Sequence, residues 1–213
     1  MNPLILKLLE KFVGGVELQN KMFTDNPDKI ANDLLKKATQ KKRANEIDAA
    51  ILYLKKAYFE IAKTKVEYSI EVFLRLPLYL QAAKKNTEAW NEFENLLQNG
   101  YPNQNNSEET KPMIDAVIYD KMRLFLQRNN QFIEAVSYGV YSILLIHYGL
   151  FLQKRFSELS GLNEKALIKE KIEPILKKAA RLDLVDKVSD LIINKTNSFP
   201  QMPNFNEIQN FIN

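Results

Sequence analysis

Apolar residues recur along most of the chain at intervals of three and four, the spacing that places them on one face of an α-helix. The clearest such face consists of Ile47, Ala50, Leu54, Ala57 and Ile61. No segment alternates apolar and polar residues over enough positions to predict a half-buried strand. The pattern therefore predicts an all-α protein with about nine helices, at residues 3–13, 27–42, 46–63, 66–83, 87–98, 112–128, 131–157, 163–180 and 184–195, and a last turn at 205–212.

The predicted helix ends share a repeated order of residue types: a basic residue, an asparagine, an acidic residue and an alanine. This order occurs in residues 43–50, 85–89 and 128–135. A basic residue opposes the negative end of the helix dipole, asparagine tolerates the left-handed backbone that ends a helix, and an acidic residue suits the next first turn. Each segment thus predicts a tight turn between antiparallel helices. Pro77, which cannot donate an interior helix hydrogen bond, predicts a further break near Arg75–Leu76.

Aligned on their alanines, the three segments resemble the tetratricopeptide-repeat family, whose units are pairs of antiparallel helices. In that family a small residue lies near the start of the second helix, a large apolar residue follows four positions later, and a small one three after that. The corresponding residues here are Ala50, Leu54 and Ala57, which match, and Ala89, Phe93, Leu96, Ala135, Gly139 and Ser142, which match in part. Asn45, Lys84 and Asn130 stand where the family has a turn glycine. The units are longer than the roughly 34 residues of the family.

The resemblance covers residues 30–157 and implies a right-handed stack of helical hairpins that acts by binding another macromolecule. In the family, the first helix of each unit lines a concave groove, and a subgroup binds carboxylates there through lysine, arginine and asparagine. The corresponding positions here are Asn32, Thr39, Lys42, Arg43, Gln81, Asp120, Gln127 and Arg128. We expect these residues to bind a protein or peptide partner, and the basic members of the set favour an acidic one.

We expect one helical-repeat domain over residues 1–213, with a docking helix within residues 1–23 and capping helices with a tail over residues 163–213. The clearest loop, residues 98–112, combines glycine, proline and several asparagines. We interpret it as a surface excursion between repeats, with a domain boundary as the alternative.

Composition restricts the chemistry without naming a partner. The chain has 213 residues with no cysteine and one histidine, which excludes disulfides, thiolate metal sites and cysteine nucleophiles. Its net charge of +4 is mildly basic and compatible with acidic partners. No glycine-rich phosphate loop or nucleophile elbow occurs. We therefore expect a protein that is not an enzyme and has neither a cofactor nor a metal site.

Two kinds of residue could still support chemistry. His147 lies in the most apolar predicted helix with no carboxylate in helical register, which predicts a core histidine with a satisfied ring nitrogen rather than a catalytic one. The pairs Glu67–Glu71 and Glu88–Glu92 could hold a divalent metal, but no histidine accompanies them on these helices. We expect both pairs to face solvent.

Two segments are apolar enough to be considered as a membrane span or a signal peptide. Residues 138–152 fall short of the ~20 residues that a spanning helix needs, so they predict a central buried helix. In the N-terminal segment Lys7, Glu10 and Lys11 interrupt the apolar residues, so no signal-peptide core is expected. We expect a cytoplasmic protein that does not associate with membranes.

The densest basic cluster is formed by Lys36, Lys37, Lys41, Lys42 and Arg43. Its simplest interpretation is a solvated helix face, and a surface for an acidic peptide is the next. Nucleic-acid binding through this cluster is the alternative function, which is weakened because aromatic residues do not interleave with the charges. Whether the protein forms homo-oligomers is left open by the sequence.

Overall fold

The computed structural model describes residues 26–104, 107–197 and 202–212. These residues form helices and contain no strand, which confirms the all-α prediction. The helices are α1 (Pro27–Arg43), α2 (Ile47–Ile61), α3 (Ile70–Phe73), α4 (Arg75–Ala82), α5 (Asn86–Asn99), α6 (Lys111–Arg128), α7 (Phe132–Leu152), α8 (Phe156–Gly161), α9 (Glu164–Lys171), α10 (Glu173–Lys178), a 3₁₀ helix (Leu182–Leu184), α11 (Val185–Asn197) and α12 (Phe205–Ile212). The helix predicted at residues 3–13 lies outside the described residues.

The chain forms two compact units that meet in sequence between Gln104 and Asn105, inside the loop predicted at residues 98–112. Unit 1 contains α1 to α5, and unit 2 contains α6 to α12.

In unit 1, α1 packs against α2 and α4 packs against α5, each pair joined by a short turn. The facing surfaces of the first pair are lined by alanines without exposed surface: Ala31, Ala38, Ala50 and Ala57. Small side chains let the two helix backbones approach closely, and Leu54 and Ile61 on α2 are fully buried.

In unit 2, α6 and α7 form the central pair, and α10, α11 and α12 pack against α7. Of the helices in the described part of the chain, only α7 is long and apolar enough to cross a membrane, yet 78% of its most apolar stretch is buried within the protein. It is the buried central helix that the sequence predicts. A Cβ atom on Gly139 would lie 2.6 Å from Ile172 Cδ1, so this glycine permits close packing of the segment before α10.

Five turns between helices each contain one residue with left-handed backbone. They include the three turns that the repeated order of residue types predicts. These residues are Asn45, Lys84, Asn130, Lys154 and Ala180, with φ between 55 and 61°. In each turn the amide of the next residue donates to a carbonyl five residues earlier, at 2.8 to 3.0 Å. This is the Schellman arrangement, which satisfies carbonyls that the end of a helix leaves without partners.

The turn at Lys154 ends α7 at Leu152, so the helix predicted over residues 131–157 is shorter than expected. The residues that follow form the separate helix α8, which has no buried residue.

Two prolines interrupt helices. Pro77 separates α3 from α4 at Leu74, one residue before the predicted break, because its ring displaces the carbonyl four residues earlier. Pro174 similarly separates α9 from α10 at Ile172. The prediction of one uninterrupted helix over residues 163–180 was therefore wrong.

Candidate functional site

A polar stripe runs along one side of α1 in unit 1, and it contains Asn32, Thr39 and Lys42, three of the predicted groove residues. The spacing of Asn32, Thr39 and Lys42, by seven and then three positions, places them on one helix face. Asn32 and Lys42 are exposed, and Thr39 is half-buried. The fourth predicted residue on α1, Arg43, is exposed beside them in the last turn, and Gln81 is half-buried near the end of α4.

The centre of the stripe is held by Arg75, the first residue of α4. Its Nη2 atom donates to the carbonyl oxygen of Leu35 at 3.1 Å and to Thr39 Oγ1 at 2.8 Å, and it lies 3.4 Å from the Tyr79 hydroxyl oxygen. The guanidinium group is half-buried. These bonds join α1 to α4, the first helices of two successive hairpins.

A second cation lies beside the same tyrosine. The Nζ atom of Lys42 is 5.0 Å from the centroid of the Tyr79 ring, and the Cζ atom of Arg75 is 5.7 Å from it. Among the described residues, no carboxylate oxygen lies within 4 Å of either cation. We call Thr39, Lys42, Arg75 and Tyr79 the Arg75 cluster.

The N-terminal end of the stripe differs from its centre, because the carboxylate of Asp28 already accepts a hydrogen bond from another residue of unit 1. Tyr68 donates its hydroxyl hydrogen to Asp28 Oδ1, and burial followed by this bond raises the pKa of Tyr68 to about 12. Asn32 donates to the backbone oxygen of Asp28 at 2.9 Å. The stripe therefore begins at Asp28, whose carboxylate is already bonded, and carries the cations Arg75 and Lys42 at its centre and its other end.

The predicted groove residues of unit 2 lie on α6, and one of them, Asp120, forms ion pairs within the unit. Asp120 accepts hydrogen bonds from Arg123 Nε at 3.0 Å and from Lys171 Nζ at 3.2 Å. Burial alone would raise the pKa of Asp120, but the charges of Arg123 and Lys171 and their hydrogen bonds outweigh it and lower the pKa. Gln127 is half-buried and Arg128 is exposed in the last turn.

His147 is buried on α7, but its surroundings differ from the prediction. Its Nε2 atom has no hydrogen-bond partner among the described residues, and Glu164 Oε1 on α9 lies 3.6 Å away. The expectation of a satisfied ring nitrogen was wrong for this atom, and the nearby carboxylate comes from another helix. Burial lowers the pKa of His147, while the Glu164 charge acts in the opposite direction.

In the part of the chain that the structure describes, no group of three or more potential metal ligands converges. Glu88 is exposed as predicted, but Glu92 is half-buried on α5. Burial raises the pKa of Glu92, Lys55 lowers it, and the neighbouring Glu88 raises it further.

The basic cluster on α1 is partly neutralised. Lys41 pairs with Glu46 at 2.7 Å, and Lys36 lies 3.8 Å from Asp33. Lys37 and Arg43 are exposed, and among the described residues no carboxylate oxygen lies within 4 Å of them. The remaining positive charge therefore lies at the C-terminal half of α1, next to the Arg75 cluster.

Sequence reasoning missed Arg75 and Tyr79 as site residues. They stand four positions apart in a mostly apolar helix that also contains Leu76 and Leu80. A basic residue and an aromatic residue at this spacing share one helix face, so the signal was present. The hydrogen-bond partner of Arg75 could not be predicted from the local sequence, because Thr39 lies 36 positions earlier in the chain.

Comparison with known proteins assigns no relative: no protein-family model, no curated protein and no solved structure matches the chain.

Proposed function

We propose that this chain is a non-enzymatic cytoplasmic binding protein and that the Arg75 cluster anchors an acidic group of a protein or peptide partner. The observation that supports this most directly is the bonding of Arg75. Among the described residues, its half-buried guanidinium donates only to neutral oxygens, although a buried cation normally acquires an anion.

The geometry leaves Arg75 with donors to spare. Nη2 makes its three contacts with Leu35, Thr39 and Tyr79, while Nε and Nη1 make no hydrogen bond to any described residue. Guanidinium can bind a carboxylate through two parallel hydrogen bonds. The Lys42 ammonium adds a second positive charge on the same tyrosine ring.

The residue types of the cluster support binding rather than a reaction. It contains two cations, a threonine hydroxyl and a tyrosine, but no histidine, carboxylate or thiol that would act as an ordinary general base or nucleophile. The polar stripe on α1 extends the surface towards Asn32, so a peptide could contact several groups in succession. The proposed architecture is the right-handed hairpin stack of the tetratricopeptide type, in which first helices such as α1 and α4 face the partner.

The test uses a peptide selected on the full-length protein from a random library, together with the same peptide after Asp and Glu are changed to Asn and Gln and its C-terminus is amidated. Anisotropy of the labelled peptides gives the Kd. Arg75→Gln should weaken binding of the acidic peptide by about 10- to 100-fold, the equivalent of one charged hydrogen bond.

Lys56→Gln is the matched control, because it removes one positive charge from an exposed side chain on α2 of the same unit. This variant should bind like the wild type. Equal binding of the acidic and neutral peptides, or an unchanged Kd in Arg75→Gln, would refute the proposed anchor.

Nucleic-acid binding through residues 36–43 is the second candidate, supported by the exposure of Lys37, Lys42 and Arg43. Neutralising phosphates releases counterions, so such binding weakens steeply as salt rises. Titration with labelled oligonucleotides at low salt should then show affinity that Lys41→Glu with Lys42→Glu abolishes. Absence of measurable binding at low salt would eliminate this candidate.

A further inference from the structure

The C-terminal half of α1 lies beside more positive charge than the described residues compensate. Lys37, Lys42 and Arg43 are exposed on α1, and Arg75 joins them from α4. Among the described residues, no carboxylate oxygen lies within 4 Å of any of these four cations. A ligand at this surface would therefore meet several positive charges within one unit.

The acidic side chains nearest in sequence to the cations of α1 already face other lysines. These pairs are Asp33 with Lys36 at 3.8 Å, Glu46 with Lys41 at 2.7 Å and Asp48 with Lys85 at 2.7 Å. Each carboxylate thus offsets the charge of a lysine outside the Arg75 cluster. The excess charge calls for an anion that the described part of unit 1 does not supply.

Two of the cations converge on one side chain. The Lys42 ammonium lies 5.0 Å and the Arg75 guanidinium 5.7 Å from the centroid of the Tyr79 ring. Arg75 is held in place by its hydrogen bonds to Leu35 and Thr39. Lys42 is exposed on a flexible four-carbon chain, so its ammonium can move towards a group bound at Arg75. A single ligand group can therefore contact both charges.

A phosphate monoester matches this pair of cations better than a carboxylate does. A phosphorylated side chain carries a charge of about −1.5 to −2 at pH 7 and three acceptor oxygens, whereas a carboxylate carries one charge and two oxygens. Nε and Nη1 of Arg75 make no hydrogen bond to a described residue, and an ammonium offers three donors. The phosphate oxygens can thus be shared between Arg75 and Lys42.

The same geometry disfavours a nucleic-acid strand at the Arg75 cluster. Each phosphodiester carries only one charge, and single strands are commonly held by aromatic side chains on which bases stack. Tyr79 is 5% exposed, so its ring has no open face for a base. The cluster is therefore suited to one doubly charged group rather than to a row of singly charged ones.

We propose that the acidic group held by the Arg75 cluster is the phosphate of a phosphorylated peptide, with Arg75 as the fixed anchor and Lys42 as the second cation. This inference rests on the proposed function, because it names the acidic group that the anchor binds. Its distinguishing feature is that a doubly charged phosphate requires both cations, whereas a carboxylate requires Arg75 alone.

The test uses a synthetic peptide library in which one fixed position carries phosphoserine or glutamate in equal amounts. All other positions are neutral and both ends are blocked, so the fixed side chain supplies the only charge. The library is selected on the full-length protein, and the leading sequences are remade with phosphoserine, glutamate or serine at the fixed position. Anisotropy should show that phosphoserine binds about 10-fold more tightly than glutamate, the equivalent of one charge-assisted hydrogen bond.

Lys42→Gln separates the two kinds of acidic group. It should weaken binding of the phosphoserine peptide by about 10-fold and that of the glutamate peptide by less than about twofold, because only the phosphate engages the second cation. Lys29→Gln is the matched control, since it removes an exposed lysine from the N-terminal end of the same helix. It should leave both affinities unchanged.

The pH dependence of binding gives a second readout. The second pKa of a phosphate monoester is about 6, so lowering the pH from 7.5 to 5.5 should weaken phosphoserine binding about three- to fourfold and leave glutamate binding almost unchanged. The only histidine of the chain, His147, belongs to unit 2, so no histidine of unit 1 titrates over this range.

The outcomes separate this inference from the proposed function. Equal binding of the phosphoserine and glutamate peptides, both weakened by Arg75→Gln, would overturn the phosphate assignment and leave the acidic anchor standing. Phosphoserine binding that Lys42→Gln does not weaken would also overturn it. If neither peptide binds, the inference fails, and the fully random library described for the proposed function decides separately whether Arg75 anchors an acidic partner.

Discussion

Two buried or half-buried arginines, one in each unit, differ in how their charge is compensated. Arg123 in unit 2 is buried and bonded to Asp120, which Lys171 also contacts. Arg75 in unit 1 is half-buried and bonded to oxygens of Leu35, Thr39 and Tyr79, all of them uncharged. In unit 2 the buried arginine thus pairs with a carboxylate of the same chain. In unit 1 the half-buried arginine has no carboxylate partner within the described residues.

The comparison teaches which polar groups are available for function. An arginine that is paired internally holds helices together, and replacing its partner leaves a buried charge uncompensated. An arginine held by neutral acceptors is fixed in position, but no anion neutralises its positive charge. Asp120 and Thr39 look equivalent as groove positions in the sequence, yet the first completes an internal cluster and the second orients a cation.

The largest expected effect is the loss of the internal cluster. Asp120→Ala should destabilise the protein by about 3 kcal/mol, because Arg123 and Lys171 would remain largely buried without their anion. Urea unfolding followed by circular dichroism measures this loss. Asp190→Ala, at an exposed position on α11, is the control and should change stability by less than about 0.5 kcal/mol. A loss below 1 kcal/mol in Asp120→Ala would contradict the assigned role.

The corresponding change in unit 1 should cost less stability. Arg75→Gln removes hydrogen bonds to neutral oxygens and should lower the free energy of unfolding by about 1 kcal/mol. The same urea experiment measures both variants. If Arg75→Gln proved as destabilising as Asp120→Ala, Arg75 would be an internal structural cation and the contrast between the units would disappear.

A smaller change in stability is expected from relieving backbone strain, which does not involve the paired polar groups. Ala180 adopts φ of 55° in a unit 2 turn, and Asn45 adopts 61° in the equivalent turn of unit 1. Left-handed backbone is costly for alanine but easily tolerated by glycine. Ala180→Gly should therefore stabilise the protein by about 0.5–1 kcal/mol, and Asn45→Gly by at most a few tenths. Thermal unfolding of the two variants checks the order, and a larger gain in Asn45→Gly would reverse it.

The smallest effect is a pH dependence specific to unit 2. Burial lowers the pKa of His147 below its ordinary value of 6.5, with Glu164 opposing. The unfolded chain then binds a proton that the folded chain still excludes, so the contribution of His147 is complete above pH 6.5 and is lost as the pH falls through the folded pKa. His147→Leu should retain more of its stability than the wild type when the pH is lowered from 7.5 to 5.5. Parallel losses in both proteins, measured by urea unfolding, would show that His147 does not titrate abnormally.

Local features of the fold were predictable, because they depend on residues close together in the sequence. The turns at Asn45, Lys84 and Asn130 follow from residue types that end one helix and begin the next, and Pro77 breaks its helix within one residue of the expected position. The helices predicted at 163–180 and 184–195 place a turn at residues 181–183, but its left-handed residue, Ala180, was not predicted because alanine has no side-chain preference for left-handed backbone. Tertiary context alone imposes that conformation.

The candidate site was less predictable, because its polar groups are assigned by contacts between distant residues. Lys171 reaches Asp120 across 51 positions, and Arg75 reaches Thr39 across 36. No local pattern tells which of two exposed-looking polar residues will acquire such a partner. The α1 positions were proposed from the family resemblance, whereas the contact of Arg75 with Thr39 depends on residues too far apart in the sequence to be predicted.

The repeated Schellman turn also bears on how quickly this chain finds its structure. Because each turn reverses the chain within a few residues, the pairs α1–α2, α4–α5 and α6–α7 form mainly from contacts between near neighbours in sequence. Chains dominated by such contacts have low relative contact order and fold in microseconds to milliseconds. Each pair can close on its own, whereas the contact of Arg75 with Thr39 joins helices of two different pairs. The turns thus make each helix pair a unit that can form from one continuous segment of the chain, in addition to setting the geometry of the helices.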